Sequence, residues 1–568
     1  MAGENGLGVA TTNVEDRILA SIGGGQKVES HFENHQNVCQ AGVLFALPSL
    51  LSQGLLRAET IYSDVEKGYY KLVHILLSLA FMALARIKNP EQLKTCNPGE
   101  LGKIIGLDRI PETKCLRERI DFICQQGKAR QYAKTLSTRW IEDESCFYYY
   151  IDGHVRVYHG DKAKLTKKYV SRQKLCLQGT TEFWVNNMEG LPFMVYTGEL
   201  NEKLKDIIKE KIVPELIEQT SSLVSQNDLD AAPQLSRFTI IFDREGYEPA
   251  FFKWLWENYR IAVITYRKNV KDKWDEKEFI NIDTEVIEKT ITMQICEKEA
   301  DLCDMKMREI RKLGESGHQT SIITTNMEIK TEVVAGKMFS RWSQENFFRY
   351  MLSDFDLDHI VQYGVQEVDG ERKVVNPLYK QLSYQIKKLR EKQSRVKGKL
   401  FQIVERNIDG TIEELRKTLF KQGQMQETMK EYQMQIDLKL AERKKQPTHI
   451  KMKELGLDNQ YNKLKTESKL FINTIKMIAY RAETALVNVV KPYYSKFENE
   501  GRMFVKEIFK KEADLEPDYQ NNILYVNLHS MSTPVKNGIV NKLCETLNDT
   551  QTIFPGTNLT MIFKTHAS

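Results

Sequence analysis

Arg237–Asp243 reads RFTIIFD. Its unbroken run of apolar and β-branched residues, Phe238 to Phe242, suits a strand covered on both faces, as in parallel sheets. Asp243 follows directly, at the carboxyl end of the strand, where open α/β sheets place their ligands. Upstream, Cys146–Tyr158 reads CFYYYIDGHVRVY and is aromatic and β-branched, hence strand-like. Asp152 sits inside it, where a charge is costly unless paired or bound to a metal. Lys174–Asn187 and Leu191–Gly198 read as two more strands around the turn Asn187–Gly190. A long amphipathic helix is expected over Glu202–Gln226, another over Glu248–Tyr259, and a strand over Ile261–Tyr266. Three strands, helix, strand, helix, strand make an α/β fold.

Further out the texture changes. Residues 267–320, rich in Thr, Ile, Lys and Glu, read as a β-rich insertion. Ser321–Asn326 is expected as a strand, and Phe339–Leu352 as a helix. Leu382, Ile386, Leu389, Val396, Leu400 and Ile403 keep a seven-residue repeat. Asp409–Gly410 marks a turn before a second helical run. This is either a helical hairpin or an oligomerising coiled coil. On the amino-terminal side, Ala41–Leu55, Tyr69–Ile87 and Cys115–Tyr132 carry helical periodicity. A short helix ending at Gly106 and restarting after Pro111 resembles a helix-turn-helix. The last hundred residues combine a long helix, Lys463 to about Val490, with a small α/β segment. The first thirty residues, Gly-rich and polar, are expected to form a flexible arm.

Composition bounds the function. The chain has 568 residues, enough for roughly three or four domains. Hydrophobic residues at 41% and charged residues at 28% exclude global disorder. The longest apolar stretch, Leu72–Ala85, falls short of the roughly 20 residues that span a bilayer, so no membrane is expected. No signal peptide is read in the first residues, and nine scattered cysteines without a CxxC pair are expected to be reduced thiols.

The net charge of +5 hides local asymmetry. Tyr379–Leu400 carries eight basic residues, among them Lys387, Lys388 and Arg390, against the single acid Glu391. Lys162, Lys164, Lys167, Lys168 and Arg172 form a second cluster, opposed by Asp161. Both are candidate phosphate-backbone contacts, although a solvated helix face explains the first equally well. A third carboxylate, Glu345, lies between Arg341 and Arg349 at helical spacing. Asp152, Asp243 and Glu345 supply the hard oxygen donors that suit two Mg²⁺ ions about 4 Å apart, a device for phosphodiester cleavage.

Tyr150–Arg156 (YIDGHVR), Ile241–Tyr247 (IFDREGY) and Arg341–Arg349 (RWSQENFFR) together resemble the three motifs of DDE transposases of the bacterial insertion-sequence type. Gly317–Asn326 resembles the strand that precedes their catalytic helix. Separations of 91 positions from Asp152 to Asp243, and 102 from Asp243 to Glu345, are similar to members with a β-rich insertion. In one large subset's Tyr–x2–Arg–x3–Glu–x6–Lys signature, Arg341 and Glu345 fit, but Met338 and Leu352 stand at the Tyr and Lys positions.

The resemblance implies an RNase H-like mixed-sheet core with a β-rich insertion. It also implies catalysis by Asp152, Asp243 and Glu345 holding two Mg²⁺ or Mn²⁺ ions. DNA or carboxylate contacts are implied for Arg341, Arg349, Arg244 and His154. The partners would be transposon ends and target DNA, held by a homodimer in a synaptic complex, and the location cytoplasmic and nucleoid-associated. The expected organisation is an arm (1–30), a helical DNA-binding domain (31–140), a catalytic domain (141–370, insertion about 267–320), a basic helical hairpin or coiled coil (371–450) and a small α/β region (451–568). A metal-dependent nuclease or resolvase, and an inactive domesticated DNA-binding protein, are the alternatives.

Overall fold

The computed structural model describes residues 12–566 apart from 65–67, 159–164, 166, 171–173, 287–288, 358–364, 368–372, 406–410, 452–453, 455–461, 465 and 494–496. Two compact units result. The first is built from the described parts of Met1–His159, Thr166–Tyr363 and Lys465–Ser568, and the second from those of Gly160–Leu165 and Gly364–Leu464. Among the described residues, no single helix is long and apolar enough to cross a membrane.

The first unit opens with a helix, Val14–Ser21, and the strand β1 (His35–Val38). The expected arm is therefore partly fixed. Arg17 bonds Asp108 at 2.7 Å and stacks on the Tyr69 ring at 4.1 Å. Residues 1–11 of that arm lie outside the described residues. The helix Leu72–Leu84 is buried at every position, as its all-round apolar sequence requires. Cys115–Tyr132 is not one helix. The chain breaks at Gly127, at a φ of +67°, between helices Thr113–Gln125 and Ala129–Glu144. Near Gly106 a short helix, Pro98–Lys103, is followed by a restart at Thr113.

His74 is the one ionisable residue in the buried helix, and its surroundings fit the neutral ring. Lys71 N–H donates to Nδ1 at 3.2 Å, and Nε2 faces Ser30 Oγ at 3.3 Å. The Ser30 hydroxyl in turn donates to the Ile105 carbonyl at 2.9 Å. Burial first, and then Lys71, push the His74 pKa down to about 4. The unfolded ring titrates near 6.5, so below that pH the unfolded chain takes up the proton. The stabilisation is complete above pH 6.5 and is lost as pH falls toward 4, about 3 kcal/mol in all. Urea midpoints are expected to drop across this window, with a shallower slope in His74→Gln.

The main sheet comprises β2 (Tyr148–Val157), β3 (Lys167–Val170), β4 (Leu175–Asn186), β5 (Pro192–Glu199), β6 (Phe238–Phe242), β7 (Ile261–Tyr266), β8 (Ile280–Val286), β9 (Lys289–Asp301), β10 (Lys306–Leu313) and β11 (Gln319–Thr324). Its order is β3-β4-β2-β6-β7-β11-β10-β9-β8, with β5 also on β4. β2, β6 and β7 run parallel to one another, and β2, β4 and β5 pair antiparallel. The molecule is mixed α/β. The β-rich segment is not a separate layer, since β11 pairs with β7 and carries β10, β9 and β8 outward in the same sheet.

Two helix expectations are corrected. The 202–226 stretch stops at Gln219 after a π-type turn at Ile208–Ile212, and Gln226–Ala231 is a separate helix. The helix expected over Phe339–Leu352 is shifted to Trp342–Phe355, and a separate helix, Thr331–Phe339, precedes it.

In the second unit, β12 (Val365–Glu367) pairs with β15 (Asn462–Leu464), and β13 (Lys373–Val375) with β14 (His449–Lys451). Helices Pro377–Glu405 and Ile412–Lys444 run antiparallel, with Arg443 at Ser383 and Gln433 at Gln393. Lys387, Lys388 and Arg390 are exposed on the first of them. The turn expected at Asp409–Gly410 lies outside the described residues.

The chain then returns to the first unit with the helix Glu467–Val490 and β16 (Ala513–Asp518), β17 (Ile523–Leu528) and β18 (Thr560–Thr565). This segment is not self-contained. β1, from the start of the chain, pairs with β16, completing a four-stranded sheet. The boundary expected at 140 does not separate folding units, and the segment after Leu464 folds with the first unit, because Leu44, Leu76, Ile151, Phe242, Ile478 and Val526 share one hydrophobic core.

Candidate active site

Asp152, within β2, and Asp243, just past the end of β6, stand at the same level on neighbouring parallel strands. Ile151 of β2 pairs with Phe242 of β6, and each carboxylate is the next residue. Adjacent strands lie roughly 4.8 Å apart, and residues in register share a face. Asp243 closes β6 by capping a short turn, its Oδ1 accepting the Glu245 N–H at 2.7 Å, while its carbonyl accepts Thr265 Oγ1 at 3.2 Å. Gly246 ends that turn because a Cβ there would lie 2.7 Å from the Phe242 ring.

Glu345 arrives from the helix Trp342–Phe355, whose position is locked next to it. The buried Gln344 amide donates to the Tyr150 carbonyl at 3.1 Å and to Asn186 Oδ1 at 3.0 Å. Ser343 Oγ donates to the Met188 carbonyl at 2.7 Å. Gly190 permits the close approach: its φ is +85°, and a Cβ would stand 3.0 Å from the Ser343 carbonyl. Just past the far end of the helix, Lys469 and Lys476 donate to the carbonyls of Leu357 and Asp356 at 2.9 and 3.1 Å, cations where the helix dipole favours them.

Arg341 joins two of the three carboxylates. Its Nη1 lies 3.4 Å from Asp152 Oδ2, and its Nη2 donates to Glu345 Oε1 at 2.6 Å. Burial pushes the Asp152 carboxyl up to about 7; Arg341 opposes this, and the charges of Asp243 and Glu245 add to it. The three carboxylates do not all close to within 4.8 Å of one another, unlike the Asp514–His529–His566 group discussed below. The donor set fits a hard divalent cation nonetheless. Asp152, Asp243 and Glu345 offer oxygen donors only, the ligand chemistry a hard divalent cation takes.

The other sequence-derived residues divide. Arg349 and Arg244 are exposed, the latter over the Tyr266 ring at 5.6 Å. Lys167 and Lys168 are exposed on β3, and Lys164 lies outside the described residues. His154 is a correction. It is buried, stacked on Phe348 at 5.4 Å, and cannot face a DNA phosphate. Phe348 is three residues beyond Glu345, so the helix that presents the carboxylate also roofs the strand past Asp152.

Glu245 and Gln344 were not singled out in the sequence. Glu245 carries a weak signal, as a second acid directly after the Asp243 strand end. Gln344 carries none, since a glutamine beside a charged helix face reads as solvated. Gln344→Leu removes the bonds to β2 and β4 at nearly constant volume. It is expected to cost about 1–3 kcal/mol of stability, read as a lower urea midpoint.

Residues 6–567 match the model of a family described as Transposase protein. The chain belongs to this transposase family. No curated protein matches the transposase. A solved structure similar to it is the cryo-EM structure of a piggyBac transposase synaptic complex with hairpin DNA, at 12% identity and a TM-score of 0.27, over 56% of this transposase and 68% of that chain.

Proposed function

We propose that the chain is a DDE transposase of the bacterial insertion-sequence type, which cuts DNA at transposon ends and joins those ends to target DNA. The observation that carries this reading is Asp152, in the middle of β2, side by side with Asp243, just past the end of β6, with Glu345 presented by a helix pinned to β2 and β4. An antiparallel β5-β4-β2 meander continued by parallel β6 and β7 supports an RNase H-like core. The β8–β11 extension, inserted before the Glu345 helix, agrees with the long Asp243–Glu345 separation.

Asp152, Asp243 and Glu345 would hold two Mg²⁺ or Mn²⁺ ions, which when bound activate an attacking oxygen and stabilise the leaving one. Arg341 keeps Asp152 and Glu345 oriented toward a common point. In the first reaction water attacks the phosphodiester at the element end; the P–O3′ bond breaks and a 3′-OH leaves. In the second that hydroxyl attacks a target phosphodiester, a new P–O3′ bond forming as the target's own P–O3′ bond breaks and its 3′-OH leaves. Arg349 and Arg244 reach solvent beside the carboxylates and suit DNA phosphate. Lys167, Lys168, Lys387, Lys388 and Arg390 supply cationic surface for the duplex, together with the helical amino-terminal region. A homodimer would bring two ends together in the cytoplasm, at the nucleoid.

The test incubates the full chain with DNA bearing the element ends, a target plasmid and Mg²⁺. Mg²⁺-dependent 3′-OH ends and joined products are expected. Cleavage without joining would leave a nuclease, and no Mg²⁺-dependent cleavage would remove the enzymatic reading.

A further inference from the structure

A second cluster of ligand-type side chains stands in the carboxyl-terminal sheet. Asp514 is the second residue of β16, His529 follows the end of β17, and His566 follows the end of β18. β16 runs against β17, and β17 runs with β18, so one sheet edge gathers all three. His529 Nε2 is 2.9 Å from Asp514 Oδ1, and His566 Nε2 is 2.6 Å from Asp514 Oδ2. The two rings meet edge to face with centroids 4.8 Å apart. The three ligand atoms lie within 4.8 Å of one another, and among the described residues this group alone meets that criterion.

We propose that Asp514, His529 and His566 bind one divalent transition-metal ion of the Zn²⁺ class, independently of the DNA-cleaving carboxylates. Two imidazoles and a carboxylate are the ligand chemistry Zn²⁺ takes, and the same set leaves Mg²⁺ poorly served. Ligands about 2.0–2.1 Å from a tetrahedral Zn²⁺ lie about 3.3 Å apart, so small side-chain rotations admit the ion. The surrounding groups suit ligation. Asp514 is nearly buried and held by the Asn37 N–H on Oδ1 at 2.7 Å. His529 turns its other nitrogen, Nδ1, toward the Glu512 carboxylate, whose Oε2 lies 3.8 Å away, a favourable charge beyond hydrogen-bond reach. His566 is half-exposed, which leaves room for water as a fourth ligand. The ion would tie β18 to β16 and, through Asn37, to the amino-terminal strand β1, a structural staple across the two ends of the chain.

The test is Zn²⁺ titration of the full chain against a chromophoric chelator, with Co²⁺ absorption as a second readout. Wild type is expected to take up one tight equivalent. His566→Gln and His529→Gln are expected to weaken it at least about 100-fold. Asp243→Ala keeps the equivalent. His566 is half-exposed, so its variant is expected to fold, which circular dichroism checks. Equal Zn²⁺ uptake by wild type and His566→Gln, or loss of the equivalent in Asp243→Ala alone, would overturn the proposal.

Discussion

Asp243→Asn is expected to lower DNA cleavage at least about 1000-fold, roughly 4 kcal/mol of transition-state stabilisation, with the fold intact. The change is nearly isosteric and keeps an oxygen for the Glu245 N–H, so the turn after β6 persists. What disappears is one negative oxygen donor beside Asp152. Because Asp243 and Glu245 both push the Asp152 carboxyl upward, the substitution also relieves that repulsion, and stability is expected to stay level or rise slightly. Activity and stability thus move apart, the behaviour of a functional site. Cleavage rates with Mg²⁺, read beside the urea midpoint, check both halves. An active Asp243→Asn would show that the carboxylate pair is structural.

Glu483→Ala is expected to be the most damaging single change to stability, costing about 3–5 kcal/mol. Glu483 is fully buried on the helix Glu467–Val490. Its Oε2 accepts Arg86 Nη2 at 2.7 Å, its Oε1 accepts the Tyr350 hydroxyl, and Arg502 Nη1 lies 3.5 Å away. Arg86 also reaches Asp354 at 3.2 Å, and Asp354 pairs with Lys506. Removing Glu483 leaves Arg86 and Arg502 facing each other across a dry space with one carboxylate fewer. Tyr350 belongs to the helix that carries Glu345, so the loss is expected to loosen the active-site helix and reduce cleavage as well. Replacing Glu483 and Arg86 together by Leu and Met is expected to recover part of the stability, because the apolar pair strands fewer charges. Denaturation of Glu483→Leu, Arg86→Met and the double variant measures the coupling.

Much of this was legible in the sequence where a residue's role follows from its immediate neighbours. β6 and β7 announce themselves because strands covered on both faces have no polar residues to interrupt them. Asp152 and Asp243 stand out because each interrupts or ends such a strand. The joining of β8–β11 to β7 was not legible, since a strand's pattern does not name its partner. The pairing of β1 with β16 across almost the whole chain is hidden for the same reason. His154 was misread because strand alternation places it on the Asp152 face. The lid that buries it, Phe348, comes from a helix nearly two hundred residues later. Nothing in the sequence marks Lys469, Lys476 and Glu483 as buried, yet their helix lies in the core, with its polar groups satisfied by distant carbonyls and arginines.

The central claim is that Asp152, Asp243 and Glu345 form a divalent-cation site. Anomalous diffraction from crystals soaked in Mn²⁺ tests it most directly. Density bounded by Asp152, Asp243 and Glu345, with Arg341 drawn away from Asp152, is the result predicted. An Arg341–Asp152 contact unchanged at saturating Mn²⁺, with no anomalous density between the two aspartates, would contradict it.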